Sequence, residues 1–97
     1  MTGADIKILI VEDALSVALT YQSWLHKDGL EAVHVETGKE AVDELTKGSY
    51  QVVLLDLQLP DISGMDVMEA IRKQQILVTV VVVTSSGSIK TAVDVMR

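Results

Sequence analysis

The hydrophobic residues of this chain fall into short continuous runs separated by stretches with helical spacing. The runs predict four strands, at residues 7–11, 32–35, 51–55 and 77–83. Most of their residues are aliphatic or β-branched, which is typical of strands buried on both faces of a parallel sheet. Because the strands alternate with helical patterns, the chain is predicted to have an α/β fold with a parallel sheet.

Between the strands, apolar residues at helical spacing predict helices at residues 15–27, 38–48 and 65–73, and a fourth that begins near Ile89. Gly29 suits the position just after the first helix, and Thr37 with Glu40 fits a capping box at the start of the second. The side chains expected to face inward are Val17, Ala18, Tyr21, Trp24 and Leu25 in the first helix, Ala41, Val42 and Leu45 in the second, some of Met65, Met68 and Ile71 in the third, and Ile89, Ala92, Val93 and Met96 in the fourth.

The fourth predicted strand closes one side of the sheet with a long aliphatic edge. Such an edge is a template for unwanted pairing with other chains. We therefore expect a fifth strand to cover it in a longer parent protein, so that residues 1–97 form one domain that is truncated at its C-terminus.

Composition narrows the class of protein. The 97 residues suffice for one domain, and 48% of them are hydrophobic, which favours a packed core. The net charge is −6, with 14 acidic residues against 8 Lys and Arg, which argues against nucleic-acid contact by this segment. With no cysteine, the chain has no disulfide, zinc–thiolate site or cysteine nucleophile. Without a signal-peptide pattern or a spanning stretch, it is expected to be soluble and cytoplasmic, with no membrane contact.

Carboxylates stand at the ends of two of the apolar runs. Glu12 and Asp13 directly follow the first strand, and Asp56 follows the third. The carboxyl ends of parallel strands form the binding crevice of open α/β sheets, so these three acids could meet there. Like charges in a crevice repel one another unless a cation compensates them.

Magnesium suits such a site because it prefers oxygen ligands and keeps several waters. Asp13 and Asp56 are the expected direct ligands, Gln58 offers its main-chain carbonyl, and Glu12 acts through water. A carboxylate beside magnesium can also accept a phosphoryl group and form an aspartyl phosphate, which makes Asp56 the candidate acceptor. Thr84 ends the fourth strand, and its hydroxyl could donate to a phosphoryl oxygen.

Each of these residues also has a structural interpretation. A single acid after an apolar strand is common, Glu12 and Asp13 could simply favour a helix N-terminus, and Thr84 could be an ordinary strand-end residue. His26 is expected to be solvated near the end of a helix, and His34 is given no role in the site. It is the combination of acids after two strands with a hydroxyl after a third that favours a functional site.

The motifs resemble those of the response regulator receiver domains of bacterial two-component systems, the CheY-like family. The matching segments are ILIVED at 8–13, LLDLQLPDISG at 54–64 and VTS at 83–85. The resemblance implies a doubly wound, flavodoxin-like sheet with strand order 2-1-3-4-5. It also implies phosphorylation of Asp56 by a histidine kinase or a histidine phosphotransfer protein, Mg²⁺ held by Asp13, Asp56 and the Gln58 carbonyl, and Thr84 as the switch hydroxyl.

The chain departs from this family in one respect. The family carries a phosphoryl-contacting lysine and an aromatic switch residue on its fifth strand, and this sequence holds neither that strand nor the last helix. The segment GSIKTAVDVMR at 87–97 resembles the receivers of NtrC-type, LuxO-like sigma-54 activators. This implies transcriptional regulation through a downstream DNA-binding output domain and leaves room for a homodimer.

Two other functions remain open from the sequence. A haloacid-dehalogenase-like phosphatase also uses an Asp nucleophile with magnesium, but it needs a second Asp where this chain has Gln58. In a phosphorylation-independent interaction module, the acids would be vestigial or structural. The receiver interpretation predicts a signalling protein that is not an enzyme beyond its own phosphorylation and dephosphorylation.

Overall fold

The computed structural model describes residues 6–83 in full and the backbone of residues 89–95. The strands are β1 (Lys7–Val11), β2 (Glu31–Val35), β3 (Val52–Asp56), β4 (Thr79–Val83) and β5 (Ile89–Val95), and the helices are α1 (Leu15–Lys27), α2 (Gly38–Lys47) and α3 (Gly64–Lys73). The four predicted strands and the first three of the four predicted helices are confirmed, with small shifts at their ends.

The sheet has the order β2-β1-β3-β4-β5, and its first four strands are parallel. This is the parallel part of the doubly wound, CheY-like arrangement. In the register between β1 and β3, Val11 lies opposite Leu55. Because both strands run in the same direction, Glu12, which follows β1, and Asp56, the last residue of β3, emerge side by side at one edge of the sheet.

The main core lies between the sheet and the helices α2 and α3. It joins buried residues of β1, β3 and β4 to residues of the two helices: Leu9, Val11, Val53, Leu55, Val80 and Val82 with Ala41, Leu45, Val67 and Ile71. Side chains alternate along a strand, so Ile8 and Ile10 point to the opposite face, where α1 packs through the fully buried Ala18. The sheet is therefore covered by helices on both sides.

The inward face of α1 differs from the prediction at one residue, because Trp24 is 58% exposed although it was predicted to face the core. For α3 the prediction was that some of Met65, Met68 and Ile71 are buried, and it is confirmed because Ile71 is buried while Met65 is exposed. In α1 only the narrow line through Ala18 approaches the sheet closely, and Trp24 lies beside the Tyr21 ring with centroids 5.9 Å apart. Val67 is also fully buried in α3, at a core position that the prediction did not include.

The prediction of a fourth helix near Ile89 is wrong. Residues Ile89–Val95 form β5, which pairs antiparallel with β4, with Val83 opposite Ile89 and Thr79 opposite Val95. This pairing gives the edge of β4 the hydrogen-bonding partner that an open edge lacks. The sequence also places β-branched residues at 89, 91, 93 and 95, an alternation that favours a strand. The strand is antiparallel, so it is not the parallel fifth strand that the family resemblance implies.

Among residues 6–83 and 89–95, no helix is long and apolar enough to cross a membrane.

Candidate metal centre

Three carboxylates meet at the carboxyl edge of the sheet. Glu12 and Asp13 follow β1, and Asp56 is the last residue of β3. Each can offer an oxygen such that the three oxygens lie within 4.8 Å of one another. The predicted convergence of Glu12, Asp13 and Asp56 is therefore present in the structure, and it arises because β1 and β3 are parallel neighbours.

Two of these acids are buried. Glu12 is 7% exposed and Asp56 is 6% exposed, whereas Asp13 lies at the surface. Burial raises the pKa of Glu12 to about 7; the amide of Ala14 opposes this shift, and the carboxylates of Asp13 and Asp56 add to it. A buried anion beside two other anions favours its protonated form unless a cation is near.

Local hydrogen bonds orient two of the carboxylates. The backbone amide of Ala14 donates to Oε2 of Glu12 at 3.1 Å, and the backbone amide of Gln58 donates to Oδ1 of Asp56 at 3.0 Å. The second bond draws the backbone of Gln58 back toward Asp56. The Gln58 main chain therefore lies at the site, as its predicted role as a carbonyl ligand requires.

The acids open into a cavity of about 520 Å³. Its lining comes from the loops after β1 and β3, from α1 and from the end of β4: Glu12, Asp13, Ala14, Val17, Tyr21, Asp56, Gln58, Leu59, Pro60 and Val83. Burial raises the pKa of Tyr21, and the negative charges of Glu12 and Asp56 raise it further. Tyr21 thus forms a neutral wall of this negatively charged cavity.

The donor set fits Mg²⁺. Three carboxylates and a main-chain carbonyl are oxygen ligands, and magnesium needs only a few of them because it keeps water in its remaining positions. Within residues 6–83, the ion pairs with Lys or Arg join Lys47 to Glu44 and Arg72 to Glu69, away from the cavity. A divalent cation would supply the positive charge that these acids lack.

Gly64 permits the tight packing beneath Asp56. A Cβ atom on Gly64 would lie 2.7 Å from the carbonyl oxygen of Asp56 and 2.7 Å from the Cα of Leu57. The Gly64 amide donates to the Leu57 carbonyl at 3.0 Å and closes the loop that follows β3. Any side chain at this position would push against the backbone that carries Asp56.

Two residues that support the site carry no signal in the sequence. Asp61 accepts hydrogen bonds from the amides of Gly38 and Lys39 at the start of α2. His34 bonds through Nε2 to the carbonyl oxygen of Glu12 and so supports the site, contrary to the prediction that it has no role there. No local pattern signals either contact, because the partners are 22 or 23 residues apart in the chain. The predicted switch hydroxyl, Thr84, lies outside the described residues.

Comparison with known proteins identifies the family. Residues 8–97 match the model of the response regulator receiver domain. The chain belongs to the response regulator receiver family. Its acidic site lies at the edge of the sheet, where the parallel strands β1 and β3 end and the loop after β3 begins. Because the chain belongs to this family, it is a signalling receiver of a two-component system.

Transcriptional regulators are among its relatives. The chain is 43% identical over 88 residues to the luminescence regulatory protein LuxO of Vibrio campbellii, a match that covers 91% of this chain and 19% of LuxO. It is 33% identical over 87 residues to the cell cycle transcriptional regulator CtrA of Caulobacter vibrioides, covering 90% of this chain and 38% of CtrA. The chain thus spans only a small part of the length of these relatives.

Solved structures share the fold. The signal receiver domain of a LuxO repressor protein from Vibrio parahaemolyticus superposes with a TM-score of 0.81 at 35% identity, over 88% of this chain and 65% of that one. The response regulator TrrA of Thermotoga maritima, solved in complex with Mg²⁺-BeF, gives a TM-score of 0.78 at 31% identity, over 82% of this chain and 70% of that one.

Proposed function

We propose that Asp56 accepts a phosphoryl group from a histidine kinase or a histidine phosphotransfer protein. The observation that carries this proposal is the convergence of Glu12, Asp13 and Asp56, whose oxygens come within 4.8 Å of one another beside an open cavity. Membership in the receiver family and the match to a response regulator solved with Mg²⁺-BeF support it.

In the proposed reaction, a carboxylate oxygen of Asp56 attacks the phosphorus of a phosphohistidine. An O–P bond forms, the N–P bond breaks, and the departing imidazole nitrogen keeps the electron pair and takes up a proton from solvent. The backbone amide of Gln58 donates to Oδ1 of Asp56 at 3.0 Å and holds the carboxylate in a fixed orientation. This orientation favours an in-line attack of the carboxylate on the phosphorus. Asp56 is thereby the catalytic residue of its own modification.

Asp13, Asp56 and the main-chain carbonyl of Gln58 are the proposed ligands of Mg²⁺, and Glu12 contacts it through water. When bound, the ion neutralises charge on the transferring phosphoryl group. Glu12 suits an outer position because its Oε2 already accepts from Ala14. Thr84 is proposed as the hydroxyl that donates to the phosphoryl group, since it directly follows β4, the neighbour of β3.

We also propose the wider role that the relatives suggest. LuxO and CtrA are regulatory proteins, and CtrA is named as a transcriptional regulator. Phosphorylation of Asp56 would then regulate transcription in the cytoplasm through an output domain. In this proposal the acidic receiver segment itself does not contact DNA. A homodimer is one form in which such an output could work.

Incubation with Mg²⁺ and a small acyl phosphate tests the proposal. We expect the intact mass of the protein that carries this chain to increase by one phosphoryl group, and Asp56→Asn to prevent the increase. Asp43→Asn changes an exposed acid on α2 and serves as a matched control that should be labelled normally. Equal labelling of Asp56→Asn and wild type would overturn the proposal, as would the absence of labelling in wild type.

The same experiment separates the alternatives. Continuous release of phosphate from an ordinary phosphate ester would indicate a phosphatase. Partner binding that is unchanged by Asp56→Ala, together with no labelling, would indicate an interaction module that works without phosphorylation.

A further inference from the structure

The loop after β3 is fastened to the start of α2 by a single side chain. Oδ1 of Asp61 accepts from the Gly38 amide at 2.8 Å, and Oδ2 accepts from the Lys39 amide at 2.9 Å. Both carboxylate oxygens are therefore engaged by the same helix terminus. The two segments are distant in sequence, so the contact links two parts of the fold that local structure does not connect.

The first amides of a helix have no partner within the helix, and this contact supplies partners for two of them. Thr37 supplies another, because its Oγ1 accepts from the Glu40 amide at 3.1 Å. The negative charge of Asp61 also complements the positive end of the α2 dipole. Asp61 and Thr37 thus share the capping of α2, but only Asp61 comes from the loop that follows β3.

Side-chain packing reinforces the same contact. A Cβ atom on Gly38 would collide with Cγ1 of Ile62, which means that Ile62 occupies the space where a larger residue would put its side chain. Ile62 packs in turn against the main core. The loop therefore rests directly on the first turn of α2, both through Asp61 and through its neighbour Ile62.

This loop also forms one wall of the metal centre. Gln58, Leu59 and Pro60 line the cavity, and they lie between Asp56 and the point where Asp61 is fastened. At its start the loop is held by the bond from the Gln58 amide to Asp56, and at its end the Gly64 amide bonds to Leu57. Among the side chains of the described residues 57–63, the one that joins this loop to α2 by hydrogen bonds is Asp61.

We propose that Asp61 is a positioning residue that fixes the loop 57–63 on α2 and so holds the Gln58 carbonyl in place for Mg²⁺. The inference rests on the proposed function, because it takes the Gln58 carbonyl as a metal ligand. Asp61 itself touches neither the metal nor the phosphoryl group. It acts through the loop, and α2 becomes part of the support of the acidic site.

The test compares three variants. Asp61→Ala removes both hydrogen bonds to α2. Gly38→Ala keeps the charge of Asp61 but places a methyl group against Ile62, so it separates the loop from α2 without removing a charged group. Thr37→Ala removes a cap from the same helix terminus without touching the loop, and it is the matched control for a general loss of helix stability.

Two measurements are made on each protein. Amide hydrogen exchange without metal reports the mobility of residues 57–63, and isothermal titration calorimetry reports the affinity for Mg²⁺. We expect Asp61→Ala and Gly38→Ala to speed exchange in the loop and to weaken Mg²⁺ binding by about 10-fold, the lower end of the range for residues that support metal ligands. Thr37→Ala should speed exchange in α2 alone and keep the wild-type affinity.

The outcomes are distinguishable. If wild type binds Mg²⁺ and Asp61→Ala binds it equally well, the positioning role is overturned while the proposed function stands. An equal loss of affinity in Thr37→Ala would also overturn it, since helix stability alone would then explain the effect. If wild type binds no Mg²⁺, the proposed function fails and the role of Asp61 in metal binding fails with it. Should Asp61→Ala not fold, Gly38→Ala and Asp61→Asn, which keeps one acceptor oxygen, decide the question.

Discussion

Nε2 of His34 lies 2.7 Å from the main-chain carbonyl oxygen of Glu12. A carbonyl oxygen can only accept, so Nε2 carries the hydrogen and donates it. The Glu12 amide donates to the carbonyl of Val35 at 3.1 Å, so both backbone polar groups of Glu12 are bound to the end of β2. The acidic residue that follows β1 is thereby anchored by the neighbouring strand.

This anchoring predicts the effect of changing His34. We expect His34→Ala to lower the free energy of unfolding by about 1 kcal/mol, because the Glu12 carbonyl loses its donor. The affinity for Mg²⁺ should fall as well, since Asp13 is the next residue along the chain. Urea unfolding and calorimetry measure the two effects. His34→Gln can still donate and should recover part of both, and His26→Ala, at the exposed end of α1, should change the Mg²⁺ affinity little. If His34→Ala has the wild-type free energy of unfolding and the wild-type Mg²⁺ affinity, this contact is dispensable.

Removing one acid should separate charge repulsion from metal binding. We expect Asp13→Asn to be more stable than wild type in the presence of a chelator, because the repulsion among the three carboxylates is reduced. Wild type should gain about 2.7 kcal/mol of stability at Mg²⁺ concentrations near 100 times its dissociation constant, and Asp13→Asn should gain far less. Thermal unfolding with and without Mg²⁺ measures both. Asp43→Asn is the matched control, and a full Mg²⁺ response in Asp13→Asn would remove Asp13 from the ligand set.

The capping of α2 by Asp61 predicts that the free energy of unfolding depends on pH. Partial desolvation raises the pKa of Asp61, but hydrogen bonds from Gly38, Lys39 and neighbouring amides outweigh it and lower the pKa from 3.8 to about 2. Because the folded-state pKa is depressed, the stabilisation is complete above pH 3.8 and is lost as the pH falls toward 2. The difference in unfolding free energy between wild type and Asp61→Asn should therefore shrink across this interval. A difference that stays constant from pH 5 to pH 2 would contradict the assignment.

The packing beneath Asp56 predicts a cost for any side chain at position 64. Gly64→Ala places a methyl group 2.7 Å from backbone atoms of Asp56 and Leu57, so we expect a loss of about 1–3 kcal/mol in stability. Phosphoryl acceptance should fall too, because the backbone that carries Asp56 must shift. Gly29→Ala is the control: Gly29 has a φ of +77° and open space around it, so its substitution costs stability far from the site. Normal labelling of Gly64→Ala would show that Asp56 tolerates the displacement.

The sequence indicated the central site because its signals are local. An apolar run that stops at Asp56, and another that stops before Glu12 and Asp13, mark strand ends without any knowledge of the fold. Parallel strands deliver their carboxyl ends to one edge, so the acids were expected together, and in the structure they are. Apolar residues at helical spacing predicted the helices α1, α2 and α3 close to their observed bounds.

Contacts between distant segments were decided by the tertiary structure. The hydrogen bonds of Asp61 to α2 and of His34 to Glu12 depend on which loops the sheet order brings together, and no spacing of residues encodes that. The exposure of Trp24 depends on how narrowly α1 approaches the sheet. Residues 89–95 carry both a helical and an alternating pattern, and the open edge of β4 selected the strand. The sequence determined where strands, helices and acids lie along the chain, whereas their partners in space follow from backbone pairing and packing that exist only once the sheet has formed.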